Sequence, residues 1–211
     1  MVTVDIWFDV VCPWCYVGKR RWETALAAFP NADLIRVRWR AFELRPGHSR
    51  TPTRTLGEIM RSDWNLPPGE PSKIVERVEA AGRSEGLVLR PESVRPVNTF
   101  DAHRLTRLAA DHGLADPVIE RLFVAYHTEL VNIADQQVLS GLAIDVGLDG
   151  AAIEKLWHGD AYTDDVRADR SAAAEAGVTA VPSYRIGQGA AVSGALSVDR
   201  LRSLLETEGG L

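Results

Sequence analysis

The sequence predicts an α/β protein in which one mixed sheet between helices is interrupted by a long all-helical insertion. Three observations carry this. Strand-like segments occur only near the two ends of the chain, the long middle has helical periodicity broken by Gly, Pro and polar residues, and a strand, a helix and a second strand follow one another before Pro46.

The first strand is the β-branched and aromatic run from Val2 through Phe8 to Asp9. It leads into Cys12-Pro13-Trp14-Cys15, where Pro13 suits the first position of a helix because its missing N–H would have no partner within the helix. That helix runs through Trp22, Leu26 and Phe29 and stops near Pro30. Leu34–Phe42 then alternates Arg36, Arg38 and Arg40 with Val37, Trp39 and Ala41, the pattern of a half-exposed strand at a sheet edge. A strand-helix-strand unit calls for parallel strands and a right-handed crossover.

From about Pro46 to Gly159 no convincing strand appears. Ser72 is expected to cap a helix ending near Gly86, and Asn98, with Asp101 three residues on, one ending at Gly113. Asp116-Pro117 opens a third, Asp135 to Gly147 makes a fourth, and a short helix is expected over Ala151 to His158. A longer helix runs from about Tyr162 to Gly177. Strands return at Ser183–Ile186 and Ala190–Ser193, joined as a hairpin by Gly187-Gln188-Gly189, and Ser197 caps a last helix through Leu201, Leu204 and Leu205.

At 211 residues with 45% hydrophobic content, the chain can bury a real core, which excludes a disordered tail or a disulfide-stapled miniprotein. Its 24 basic and 29 acidic residues leave a net charge of −5, so no broad positive field favours nucleic acid. No segment is apolar for long enough to span a bilayer, and Met1 leads into a strand without a charged-then-apolar signal region; the expected location is the cytoplasm.

The only two cysteines, Cys12 and Cys15, are the informative feature. A lone Cys-x-x-Cys in a cytosolic-looking chain points to redox chemistry or half of a metal site. With Cys12 at the strand-to-helix turn, its sulfur lies at the positive end of the helix dipole, where a thiolate is stabilised. Residues three apart share a helix face, so the two sulfurs can close a disulfide within one turn. Cys12 can attack a disulfide and Cys15 can then release the product. Trp14, between them, supplies apolar cover and no charge. The plain alternative is that both are buried thiols packed as small hydrophobes. No metal site is expected, because zinc needs about four ligands and His48, His103, His112, His127 and His158 show no paired spacing.

Three segments in order, Cys12-Pro13-Trp14-Cys15 after a Phe-Asp-Val-Val strand end, Asn98-Thr99-Phe100-Asp101-Ala102-His103-Arg104-Leu105, and Gly177-Val178-Thr179-Ala180-Val181-Pro182-Ser183, resemble the DsbA family of thioredoxin-like oxidoreductases, in its FrnE-like branch. The resemblance implies a thioredoxin fold with an inserted all-helical domain: a discontinuous thioredoxin-like domain from 1–45 and 160–211, and the insertion over 46–159. It implies thiol-disulfide exchange by Cys12 and Cys15, a cis Val181-Pro182 peptide beside them, and substrate contacts from Pro13, Trp14, Val181 and Pro182. The expected substrates are protein or small-molecule disulfides and thiols. No bound cofactor is implied, although a low-molecular-weight thiol such as glutathione could be a co-substrate. The oligomeric state stays open.

Two other functions share this layout. Glutathione-dependent 2-hydroxychromene-2-carboxylate isomerases and kappa glutathione transferases resemble the chain but carry serine at the position of Cys12, and a chaperone-like binding module would use the cysteines only as a redox lock. Among the remaining residues, Asn98 is first a helix cap and second a ligand group, and His103 is first a helix residue with a satisfied hydrogen bond and second an acid or base. Trp7, Trp22, Trp39, Trp64 and Trp157 are expected to pack, with Trp14 partly exposed; Lys19-Arg20-Arg21 is expected to form a solvated face.

Overall fold

The computed structural model of the chain describes residues 1–209. In chain order the elements are β1 (Val2–Phe8), α1 (Pro13–Ala27), β2 (Ile35–Ala41), α2 (Leu56–Ser62), α3 (Glu70–Ser84), α4 (Phe100–Asp111), α5 (Ala115–His127), α6 (Gln136–Asp145), α7 (Gly150–Trp157), α8 (Thr163–Glu175), β3 (Ser183–Ile186), β4 (Val192–Ser193) and α9 (Val198–Glu208). The chain divides into two compact units, Met1–Leu44 with Arg167 onward, and Arg45–Val166; the second boundary falls inside α8.

In the first unit the strand order is β2-β1-β3-β4. β1 runs parallel to β2 with Val4 opposite Val37, and antiparallel to β3 with Ile6 opposite Tyr184. The expected edge strand is therefore an edge strand, and the expected hairpin is β3–β4. β1 is central because both of its faces are apolar enough to bury: Val4, Ile6 and Phe8 alternate with Asp5 and Trp7, and all five are buried. On the first face, Tyr184 stacks on Trp22 of α1, and α1 packs against α9. On the second, the Trp7 indole N–H donates to the Asp169 carbonyl of α8 at 3.3 Å.

Asp5 is the polar centre of that second face. Its carboxylate is almost fully buried and accepts hydrogen bonds from Arg38, from Arg40 at 3.0 Å and from Arg185 at 2.7 Å, drawing β1, β2 and β3 together. Arg40 also donates to Asp169 at 2.8 Å. Burial pushes the Asp5 carboxyl upward, but the hydrogen bonds from Arg38, Arg185 and Arg40 more than offset this and hold it at about 2. Arg38 and Arg40 of β2 are thus paired across the sheet, and Arg40 is largely withdrawn from water.

The second unit is helical throughout its regular structure. α4 packs against α5, α6 and α7 around Leu105, Ile119, Leu122, Phe123 and Leu139, and α2 packs on α3. Several sequence expectations shift here. α3 starts at Glu70, behind Gly69 in the left-handed region and with Pro71 in its first turn, so Ser72 lies inside the helix and does not cap it. Thr99, and not Asn98, occupies the N-cap of α4, while Asn98 Oδ1 accepts from the Phe100 N–H at 3.0 Å and its amide donates to the Pro46 carbonyl at 3.0 Å. Asp116 lies one residue inside α5. α2 has no counterpart among the helices expected from the sequence, although its Thr55-Leu56-Gly57-Glu58 start is a complete capping box. Trp64 is exposed, with the Arg45 guanidinium 6.0 Å from its ring.

Candidate active site

The cysteines sit where β1 hands over to α1. After Phe8 the chain turns, with the Cys12 N–H donating to the Asp9 carbonyl at 3.1 Å. Cys12 is the N-cap of α1 in an extended conformation, φ −91° and ψ 111°, and Pro13 opens the helix as its imino nitrogen permits. The Cys12 carbonyl accepts from the Cys15 and Tyr16 N–H groups at 3.0 and 3.4 Å, so Cys15 lies in the first turn beside it. No acidic side chain occupies this turn to compete for the helix dipole.

Both cysteines are unbonded thiols and buried, and the two side chains hydrogen-bond each other. Burial pushes the Cys15 thiol well above its ordinary range; the hydrogen bond with Cys12 and the proximity of that sulfur push the same way, while a backbone hydrogen bond with Asp9 pulls against them. The Cys12 thiol donates to the Val181 carbonyl at 3.6 Å. Cys12 is therefore held between the start of α1 and the segment that precedes β3.

That segment is firmly braced. The Val181–Pro182 peptide is cis. The Pro182 carbonyl accepts from the Gly194 N–H at 2.7 Å, and the Ser183 hydroxyl donates to the Ala180 carbonyl at 2.6 Å. Cys12, Cys15, Val181 and Pro182 thus come together, with Pro13 and Trp14 half-buried at the helix start.

Asn98 and His103 belong to the other unit, on and just before α4. His103 is fully buried. The segment around them is a structural clamp: Asp101 accepts from Gln136 at 2.7 Å and from Arg104 at 3.3 Å, and Arg104 donates to the carbonyls of Leu156, Gly159 and Ala161. Lys19-Arg20-Arg21 is not a solvated face. Lys19 is buried and paired with Glu23, Arg20 also pairs with Glu23, and Arg21 donates to the Ala195 carbonyl at 2.8 Å.

Three residues near the sulfurs lie outside the expectations from sequence. Asp9 is fully buried and accepts the Leu44 N–H at 2.8 Å; an acid closing an apolar strand just before the cysteines is a visible signal. Gly18 faces Pro182 and Tyr184 so closely that an added Cβ would lie 2.9 Å from the proline ring, and a glycine inside a helix is itself a mark of close approach. Tyr184 gives no signal beyond that of a strand residue. Among the described residues, no group of three or more His, Cys, Asp or Glu side chains could hold a metal, and no helix is long and apolar enough to cross a membrane.

A sheet of this order with a thiol pair at the start of its first helix defines a thioredoxin-like protein of the thiol oxidoreductase class. The family model described as a DSBA-like thioredoxin domain matches residues 3–206, and the chain belongs to that family. It is 30% identical to the protein YwbO of Bacillus subtilis (strain 168) over 212 aligned positions, covering 98% of this chain and 97% of that one. The crystal structure of a probable DsbA oxidoreductase, SCO1869 from Streptomyces coelicolor, is similar at a TM-score of 0.93 and 32% identity, covering 100% of this chain and 91% of that one. The cytosolic disulfide reductase DsbM from Pseudomonas aeruginosa shares the fold at a TM-score of 0.64 and 17% identity over 99% of this chain and 98% of that one; it has also been solved with GSH.

Proposed function

We propose that the protein is a thiol-disulfide oxidoreductase working through Cys12-Pro13-Trp14-Cys15, in the FrnE-like branch of its family. The observation that carries this reading is the hydrogen-bonded pair of thiols at the first turn of α1, with Cys12 at the N-cap. Cys12 is the nucleophile, because it stands at the N-cap of α1 against the Val181 carbonyl, while burial keeps the proton on Cys15. Its thiolate attacks a substrate disulfide, forming a mixed disulfide and expelling one substrate sulfur as a thiolate. Cys15 then gives up its proton and attacks the Cys12 sulfur; the Cys12–Cys15 bond forms, the bond to the substrate breaks, and the second substrate sulfur leaves with the electron pair. The substrate gains two electrons and the enzyme dithiol loses two. The same steps reversed oxidise a substrate dithiol.

Val181 and Pro182 would align an extended substrate segment beside Cys12, with Pro13 and Trp14 as the facing wall. Substrates are protein or small-molecule disulfides, and a small thiol such as glutathione returns the oxidised pair to the dithiol. The presence of GSH in the structure of DsbM supports that choice, and its cytosolic setting supports a cytoplasmic one.

The test is a trap. Cys15→Ser should accumulate a covalent disulfide adduct on Cys12 when mixed with oxidised glutathione or insulin, and the unaltered protein should reduce insulin disulfides. Absence of both, with turnover of a hydroxychromene carboxylate only when glutathione is added, would overturn the reading in favour of an isomerase.

A further inference from the structure

The Tyr184 side chain is buried, with 2% of its surface exposed, and its ring stacks on Trp22 at a centroid distance of 6.1 Å. Its hydroxyl has no hydrogen-bond partner. Burying an unsatisfied hydroxyl is costly, and phenylalanine would fill the same space without that cost. The hydroxyl lies against the bare backbone of Gly18, one turn after Cys15 on the same helix: a Cβ added at Gly18 would lie 2.6 Å from it and 2.9 Å from Cγ of Pro182. The fold therefore places a helix-interior glycine where it admits a hydroxyl that bonds to nothing in the dithiol state. The charged groups that act on it are Cys15 and Cys12, whose negative charge pushes its ionisation upward after burial itself, and Arg21, which pulls it back.

We propose, on the basis of the exchange reaction above, that Tyr184 supplies the hydrogen-bond donor for the Cys15 sulfur at the moment that sulfur carries charge. The need is specific. Cys15 must lose its proton to resolve the mixed disulfide, and it must do so in a pocket that burial and the neighbouring Cys12 make hostile to a thiolate. Once Cys12 is tied up in the mixed disulfide it no longer bears charge, and the Tyr184 hydroxyl, seated over Gly18 one turn from Cys15, lies within electrostatic reach of that sulfur, as does Asp9. A phenol O–H is a charge-assisted donor to sulfur there and keeps its own proton throughout. The proton lost by Cys15 is matched by the one taken up by the departing substrate thiolate.

The experiment compares Tyr184→Phe with the unaltered residue in a Cys12→Ser background, following the rate of Cys15 alkylation against pH. The expected result is an alkylation profile displaced to higher pH, with about tenfold less reactive thiolate at a given pH, one unit of displacement. The thermal midpoint should be unchanged or higher. In the protein with both cysteines, Tyr184→Phe should slow release of a preformed Cys12–glutathione mixed disulfide by a similar factor. An unchanged alkylation profile overturns the inference, as does a lowered midpoint with no displacement, which marks Tyr184 as a packing residue. Gly18→Ala pushes the hydroxyl aside and is a second arm expected to displace the profile the same way. A displaced profile in a protein that exchanges no disulfide would overturn the proposed function and leave the donor role standing.

Discussion

At the scale of single residues, the asymmetry between the two sulfurs is the decisive property. They are three positions apart and hydrogen-bonded, yet Cys12 occupies the N-cap position and reaches the Val181 carbonyl, whereas Cys15 lies in the first turn with its proton held by burial. Alkylation of the reduced protein with iodoacetamide at pH 8 should therefore modify Cys12 before Cys15, as peptide mass spectrometry of successive time points would record. Equal labelling would contradict Cys12 as the first nucleophile. The cysteines are legible in the sequence because their type and spacing alone specify a disulfide within one turn. Tyr184 is not: in sequence it is one more aromatic in a strand, and only the pairing of β3 with β1 puts its ring on Trp22 and its hydroxyl on Gly18.

Among the elements, α1 does the most to build the site, and its glycine is its tightest point. Alanine is favoured over glycine inside a helix by about 1 kcal/mol, while overpacking a filled contact costs about 1–3 kcal/mol. Gly18→Ala has its new Cβ 2.6 Å from the Tyr184 oxygen and 2.9 Å from the Pro182 ring, so packing wins. The expected outcome is a net loss of about 1 kcal/mol in urea denaturation, opposite in sign to what helix propensity alone would give. The same contrast between local preference and packing explains which helix starts are legible. Asp135 and Ser197 cap α6 and α9 because a short polar side chain next to a helical run suffices to fix a start. Ser72 fails as a cap because Pro71 and the left-handed Gly69 open α3 earlier. The capping box at Thr55 and Glu58 is a weak signal despite its completeness, since the helix it starts runs only from Leu56 to Ser62 and has little periodicity to announce it.

For the whole molecule, the charge cluster around Asp5 links sheet integrity to pH. The carboxyl is held at about 2 against an ordinary value of 3.8. A group with a depressed folded value contributes stability that is present above its unfolded value and lost as pH falls through the folded one. Asp5 therefore contributes about 2 kcal/mol near neutrality, lost between about pH 4 and pH 2. Asp5→Asn should be less stable than the unaltered protein at pH 5, and the two should converge as pH approaches 2, because a protonated Asp5 and an asparagine are both neutral. Denaturant titrations across that range would show it; a gap that stays constant would place the loss in packing and not in charge.

What the sequence determined by itself is whatever local chemistry decides: the strand-helix-strand opening, the edge position of the arginine-striped strand, the hairpin, the helical middle and the thiol pair at a helix start. Each follows from side-chain period, from proline and cap residues, or from the reach of two cysteines across one turn. What only the tertiary structure decided depends on residues far apart in the chain. Strand pairing brought Arg38, Arg40 and Arg185 onto one buried aspartate, so that part of the basic face is paired, and the packing of α1 buried Lys19 against expectation. It also set Val181 against Cys12 and the Tyr184 hydroxyl against Gly18. No periodicity records such meetings, because each is a consequence of how surfaces distant along the chain close on one another.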